Sequence, residues 1–360
     1  MTVYFEPSAR AWRRAVAAAA APPALPPPFR LRLLRLCSPH GAGGRMSSSA
    51  ELAYTLEGVR ADVREDGRGR LDWRAASASL GVLPQASGSA MLSLGATRLL
   101  IGVVAELGVP DQAVPDAGRI LISVGCGPGE VALPEYGSDE PLTWLETSLT
   151  SLYSHRAVAQ ALKPLCIVEG AQCWQLRVHV QILQADGCPL DAMSLGVRAA
   201  LHGTQVPRMT AAPPGDDGDR SSNMSATAAM EGGGKGSTQH DLDLDESLDE
   251  SVPFDASSIP IFVTVATLSE HIVVDCTAAE RRAAGCAISL GMSSDGQTCA
   301  MRLAGVYGVN LALMADMLQT ARLLGLAMLE KASLAIEMAA EHAQVRGFPY
   351  TDDGAIGLLA

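Results

Sequence analysis

The stretch from Trp174 to Pro207 constrains the rest of the chain most tightly. It opens with strict alternation: Leu176, Val178, Val180 and Ile182 fall on one face, and Gln175, Arg177, His179 and Gln181 on the other. A period of two in which one face is apolar describes a half-buried strand. Asp186-Gly187 follows, a turn signal, because glycine supplies the positive φ that a tight turn needs. Ala192, Leu195, Ala199 and His202 then recur at helical spacing, with Leu190, Met193, Val197 and Leu201 beside them and Arg198 the only charge in the middle. Such a helix is covered nearly all round. Strand, turn and buried helix make half of an α/β layer, so the chain must supply more strands and a second helical layer.

There is enough apolar material for this. The 360 residues are 48% hydrophobic and 18% charged, and only 4% aromatic, so the core is aliphatic. At roughly 150 residues per domain, the length suggests about two domains. The net charge of −12 argues against coating nucleic acid by bulk charge, which relies on Lys and Arg neutralising phosphates. RNA held in a local basic channel shared with a partner stays open. None of the eight cysteines forms a Cys-x-x-Cys pair or precedes a histidine at metal spacing. Buried free thiols in a reducing compartment are therefore expected, with no metal and no cofactor.

Taken in order, residues 1–45 hold seven arginines and one acid, an alanine run and a proline cluster. An Arg-rich, acid-poor start is either an organelle transit peptide or an upstream extension ahead of Met46; a disordered extension without targeting is the expectation. No uninterrupted apolar stretch reaches the ~20 residues of a membrane span, so a soluble protein with no membrane partner is expected. Residues 46–75 form an arm, with Ser49 capping a short helix through Leu56. A turn at Asp66-Gly67 follows, with Arg68 and Arg74 bonded to nearby carboxylates or carbonyls. Strands are predicted at Ala76–Leu83, Gly88–Leu94 and Thr97–Glu106, the last covered on both faces because Leu99 to Val104 is almost continuously apolar. A loop at Gly108 to Gly118 leads to a strand at Arg119–Val124. Gly125 to Gly129 reads as a plain loop, since Glu130 stands where a phosphate cradle needs Gly-Lys-Ser/Thr. Ser138 and Asp139 open a helix from Glu140 to about His155, with Pro141 in its first turn, and Lys163–Val168 reads as a short strand.

Residues 211–251 break the pattern, with ten acids and two bases between Ala211 and Glu250. They cannot bury a core and read as a disordered insert, a solvated loop or an acidic docking element for a basic partner. A second half covers residues 252–345. Its strands are predicted at Pro260–Leu268, His271–Cys276, Ala287–Met292 and Cys299–Leu303, and Asn310 caps a long helix to about Val345. A tail occupies 346–360.

Five motifs in order then carry a resemblance. Arg64-x-Asp66-Gly67-Arg68-x-x-x-Asp72-x-Arg74, Ser87-Gly88-Ser89-Ala90 and Leu94-Gly95-x-Thr97 resemble the start of an RNase PH domain. Asp186-Gly187-x-x-Leu190-Asp191-Ala192, ending at Val206-Pro207, is similar to that family's central unit. Val273-Val274-Asp275 with Thr277-x-x-Glu280 resembles its second half in the non-catalytic lineage of the RNA exosome ring. Cys173-Trp174 and the acidic insert fit the same lineage. The resemblance covers about Ser49 to Leu329. It implies an α/β (α+β) fold of two βαβ-type halves, like domain 2 of ribosomal protein S5, packed as one unit: 76–210 and 252–345. It also implies partners: other RNase PH-like ring subunits, S1/KH caps, a separate exoribonuclease and single-stranded RNA in a shared channel. The implied localisation is nucleus, nucleolus and cytoplasm.

The same resemblance bears on catalysis. Phosphorolytic members hold phosphate with an Arg-Ser pair at the helix start near residue 138. This chain has Gly137-Ser138-Asp139-Glu140, whose carboxylates repel phosphate at a helix N-terminus. Active members also carry a carboxylate two residues before the proline opening the second-half strand; here that position is Ser258. No catalytic residue is assigned, and the chain is expected to be an inert ring subunit. The competing readings are a phosphorolytic 3′-exoribonuclease using Asp255 or Asp275 in a displaced geometry, and an unrelated small-molecule enzyme on a similar fold. Asp275 reads as a strand-end turn residue. Arg119, after the loop implied to face the channel, is the candidate RNA contact.

Overall fold

The computed structural model describes residues 3–5, 48–127, 141–211, 242–244, 251–305 and 308–346. A short strand, β1 (Val3–Phe5), precedes helix α1 (Ser49–Arg60). Ser48 caps α1: its Oγ accepts from the Glu51 N–H at 3.2 Å, and the Glu51 carboxylate accepts from the Ser48 N–H at 2.9 Å. The cap is thus one residue earlier than Ser49. The helix runs past Leu56 to Arg60 because Val59 is buried in an apolar cluster with Ala266, Leu268 and Val273.

Strands β2 (Ala76–Leu80), β3 (Gly88–Leu94) and β4 (Thr97–Gly108) form an antiparallel meander. Next come β5 (Arg119–Cys126), α2 (Pro141–Tyr153), α3 (Arg156–Leu162), a 3-10 turn at Lys163–Leu165, β6 (Cys166–Val168), β7 (Gln172–Gln184) and α4 (Pro189–His202). Small strands follow: β8 (Gln205–Pro207), β9 (Met209–Ala211), β10 (Leu242–Leu244) and β11 (Ser251–Pro253). The second half holds β12 (Ile261–Leu268), β13 (His271–Val274), α5 (Ala278–Ala283), β14 (Cys286–Met292), β15 (Thr298–Gly305) and α6 (Leu311–Arg346).

The first sheet has the order β1-β2-β3-β4-β7-β5, with β6 also against β7; the second has the order β13-β12-β14-β15. In the first sheet β5 and β7 run parallel and are joined through α2 and α3 as a βαβ crossover. Every pairing in the second sheet is antiparallel; β13 and β14 flank β12 and so run parallel to each other, and α5 joins them, which makes this half a split βαβ unit as expected. Helices α2, α4 and α6 form a layer between the two sheets. α4 packs on β2, β3, β4 and β7 on one side and on β12 on the other. This accounts for the apolar girth of α4: every residue from Pro189 to Leu201 is buried.

β12 shows how closely the halves interlock. β13 pairs with it only from Val265 onward, which leaves its first half without a strand on that edge. Side chains of α4 stand in: the Phe262 N–H donates to Ser194 Oγ at 2.8 Å, and the Thr264 N–H to Asp191 Oδ2 at 2.9 Å. These bonds satisfy buried backbone donors that would otherwise be costly.

Several expectations are corrected. β4 is covered on one face only: Leu99, Ile101 and Val103 are buried, while Val104 on the other face is 37% exposed. All three helices of the layer lie on the inner side of this sheet, so the apolar run cannot be covered twice. α3 was not anticipated. It is short and is capped by His155, whose Nδ1 accepts from the Ala157 N–H at 3.2 Å. Lys163–Val168 is part 3-10 turn and part strand. Most of 1–45, 211–251 and 346–360 falls outside the described residues. Within the first two, however, β1 pairs with β2 and β10 with β9, where no regular structure was expected. Among the described residues no helix is long and apolar enough to cross a membrane.

Candidate functional site

The position where active relatives are expected to hold a carboxylate, Ser258, lies half-buried in the turn leading into β12. Its carbonyl accepts from Ser293 Oγ at 3.4 Å. Arg198, reaching across from α4, fixes this turn. Its guanidinium donates to the carbonyls of Ile259 and Ser257, the latter at 2.9 Å, and to Ser333 Oγ on α6 at 2.9 Å. The sequence marked Arg198 only as a charge inside a buried helix. No local signal tells that it braces the turn holding Ser258. Ser138 and Asp139 lie outside the described residues; α2 begins at Pro141, as the proline signal predicts.

Asp255 does not replace the missing carboxylate. It is exposed and accepts the Ser257 N–H at 2.9 Å, and that bond holds its carboxyl below the usual range. A group that stays ionised is a poor proton donor near neutral pH.

Asp275 is engaged more completely. It ends β13 with a left-handed backbone, φ 48°, and is fully buried. Its Oδ2 accepts the Arg74 backbone N–H at 2.8 Å and Arg74 Nε at 2.9 Å; its Oδ1 accepts Arg74 Nη2 at 2.6 Å. Arg68 Nη1 adds a contact at 3.5 Å. Asp275 is therefore a turn residue, as expected, and also the central anion of an arginine cluster. Both of its carboxylate oxygens are bonded to arginine donors.

The arm motif builds this cluster. Gly67 takes φ 79°, and the Arg64 N–H and Arg68 carbonyl close the turn at 2.9 Å. Asp66 holds Arg68 Nε at 2.6 Å, and Asp72 accepts the Gly69 N–H at 2.9 Å. Burial pushes Asp66 upward, but the Arg68 guanidinium outweighs it and holds the carboxyl below its ordinary value. Arg64 is buried with Glu280: Nε donates to Oε1 at 2.7 Å and Nη2 to Oε2. Arg64 also donates to the carbonyls of Val274 and Asp275, at 2.9 and 2.8 Å. Arg74 Nη1 reaches Asp186 Oδ2 at 3.0 Å. Burial alone lowers the pKa of Arg64 and Arg74; the bonds and charges of Glu280 and of Asp275 reverse this and raise both.

Three segments thus meet here: the arm, the Asp186-Gly187 turn between β7 and α4, and the turn between β13 and α5. Gly187, at φ 75°, is forced: a Cβ there would stand 1.8 Å from the Cys276 carbonyl oxygen. Arg68 and Arg74 do bond nearby groups, as expected. The principal partner of Arg74 is nevertheless 201 residues away, which sequence spacing cannot reveal. Among the described residues no group of His, Cys, Asp and Glu could hold a metal ion.

Arg119, the RNA candidate, begins β5. Its Nη2 is 4.0 Å from Asp111 of the preceding loop, and both side chains are partly exposed. In the same loop Asp116 pairs with Lys163 at 3.1 Å, and that lysine holds the Asp116 carboxyl low. The loop's acids thus lie against the adjacent bases.

Two family models match the chain: the 3′ exoribonuclease family, domain 1, at residues 72–207, and domain 2 at residues 258–322. Together they cover more than half of the chain, which belongs to the RNase PH family of 3′ exoribonucleases. Within it, several similar curated proteins carry Rrp42 names. A putative exosome complex exonuclease RRP42 of Dictyostelium discoideum is 25% identical over 331 residues, covering 78% of this chain and 95% of the relative. The exosome complex component Rrp42 of Methanopyrus kandleri is 27% identical over 252 residues, covering 69% and 82%. Among solved structures, an Archaeoglobus fulgidus exosome with RNA bound to the active site matches with a TM-score of 0.61 at 24% identity, over 78% of this chain and 97% of that one. An archaeal exosome core matches with a TM-score of 0.57 at 24% identity, over 79% and 96%. These structures bear out the mixed α/β architecture.

Proposed function

We propose that this chain is a non-catalytic structural subunit of an exosome ring. It supports 3′-5′ RNA processing and degradation by forming part of the RNA channel. The observation that carries the inert reading is Ser258. A hydroxyl stands where the general acid is expected, and Arg198 pins the turn around it. The two neighbouring candidates are committed elsewhere: Asp255 is ionised at the surface, and Asp275 is enclosed by Arg74. The Rrp42 names of the relatives support the ring setting. The proposed partners are other RNase PH-like ring subunits, S1/KH caps, a separate exoribonuclease and single-stranded RNA, in nucleus, nucleolus and cytoplasm. Arg119 is a channel-side phosphate contact in this reading.

Two measurements test it. Tagged protein recovered from native extract should bring down RNase PH-like chains with S1/KH caps; recovery alone or as a homo-oligomer would sink the ring assignment. The pure chain should release no nucleoside diphosphates from RNA with inorganic phosphate, and Ser258→Asp alone should not change this. Phosphate-dependent release by the unmodified chain, abolished by Asp255→Asn, would establish the alternative, an active phosphorolytic 3′-exoribonuclease.

A further inference from the structure

Cys166 opens β6 and Cys173 lies near the start of β7, and the two are direct partners in the antiparallel pairing of these strands. Opposite residues of an antiparallel pair have Cα atoms roughly 4.5–5.5 Å apart. That separation lies inside the ~4.4–6.8 Å that a disulfide bridges. Burial first, and then the neighbouring Cys166, push the Cys173 thiol up. Their access differs. Cys166 is partly exposed, whereas Cys173 is fully buried. Cys188 and Cys276 share another apolar cluster, but both are buried, so an oxidant reaches neither directly.

We propose that Cys166 and Cys173 form an oxidation-responsive pair in which Cys166 meets the oxidant and Cys173 closes an intrachain disulfide. With hydrogen peroxide, the Cys166 sulfur attacks one peroxide oxygen and the O–O bond breaks. The departing hydroxide takes up the thiol proton as water, and Cys166 becomes a sulfenic acid. The Cys173 sulfur then attacks the Cys166 sulfur. The S–O bond breaks, the S–S bond forms, and the hydroxyl leaves with the Cys173 proton as a second water. The two thiols lose two electrons and the peroxide gains two.

The surroundings set the tempo. Burial, followed by the charges of Glu169 and Asp116, pushes the Cys166 thiol up. Thiolate is therefore scarce at neutral pH, and the pair answers sustained oxidation rather than a brief pulse. Oxidation has a local consequence. The reduced Cys166 Sγ donates to the Pro115 carbonyl at 3.8 Å, which also receives the Gly170 N–H at 3.0 Å. The disulfide removes the sulfur donor and leaves the Pro115 carbonyl with the Gly170 N–H as its remaining donor, which loosens one of the ties on the loop between β4 and β5.

The test uses the reduced full-length chain exposed to hydrogen peroxide. Remaining thiols are blocked after denaturation, and the chain is digested without reductant for mass spectrometry. The peptide carrying both cysteines should be two hydrogens lighter and take up no blocking reagent. Cys166→Ser should abolish this mass change. Cys173→Ser should leave Cys166 trapped as a sulfenic acid that dimedone labels. Hydrogen exchange in residues 109–118 should quicken on oxidation of the unmodified chain and not of Cys166→Ser. Cys173 fully blockable after treatment, with Cys166 overoxidised or linked to a second molecule, would overturn the proposal.

Discussion

Among the described residues charge is buried in two places, and by two different means. At the arm, Arg64 and Arg74 face Glu280, Asp275 and Asp186, so each cation has an anion. In α4, Asp191 and Arg198 are buried as deeply and bond to neutral groups. Thr264 donates its N–H to Asp191 and shares its hydroxyl with Asp191 Oδ1 at 2.6 Å, and two carbonyls and Ser333 Oγ receive Arg198. The ionisation equilibria move oppositely. Burial favours the neutral form of both α4 groups, lowering the pKa of Arg198 and pushing Asp191 up to about 7. At the arm the paired carboxylates raise both arginines. Desolvation is similar in the two places; what decides the direction is whether a counter-charge came inside as well.

The sharpest way to break the contrast is Arg74→Ala. It strands Asp275 as an uncompensated buried charge, and urea unfolding should report a loss of about 3–5 kcal/mol. A loss below 1 kcal/mol would mean that Arg68 alone suffices. The next effect is in pH. Folded Asp191 keeps its proton to about pH 7, whereas the unfolded side chain loses it near pH 4. The folded state thus binds the extra proton in that window, and this contribution is full below pH 4 and disappears as pH rises through 7. Asp191→Asn should flatten the stability profile between those limits by roughly 2–4 kcal/mol relative to the unmodified chain. An unchanged slope would place the titration elsewhere. The smallest effect is Arg198→Met, which leaves two carbonyls and a hydroxyl short of a donor but no opposite charge. Thermal unfolding should show a cost of about 1–3 kcal/mol.

The contrast also explains what could be read from the sequence. The alternation of Leu176, Val178, Val180 and Ile182 predicted β7, and the apolar girth of residues 189–201 predicted a buried α4. Both signals are local: the period of two in β7 reflects a helix layer on one face, and the all-round apolarity of α4 reflects the two sheets that enclose it. Asn310, whose Oδ1 accepts from the Ala312 N–H at 3.3 Å, marks the start of α6 as expected. The partners of the buried charges left no such trace. Nothing near Arg74 points to Asp275, and nothing near Arg198 points to the carbonyls at Ser257 and Ile259, because those pairings are set when the layers dock. β4 misled for the same reason: its apolar run told of hydrophobicity, but not of a helix layer present on one side only. At the candidate site, the choice of Ser258 rests on counting back from Pro260, a rule of chain register that needs no tertiary knowledge.

The unfinished edge of β12 has a bearing on how the chain comes to be folded. On the edge away from β14, the N–H groups of Phe262 and Thr264 lack acceptors until Ser194 and Asp191 are in place. Those residues belong to the half that leaves the ribosome first. A nascent second half therefore meets a template already standing. The same segment produced on its own would present a naked, apolar strand border, the kind of surface through which chains join one another into aggregates.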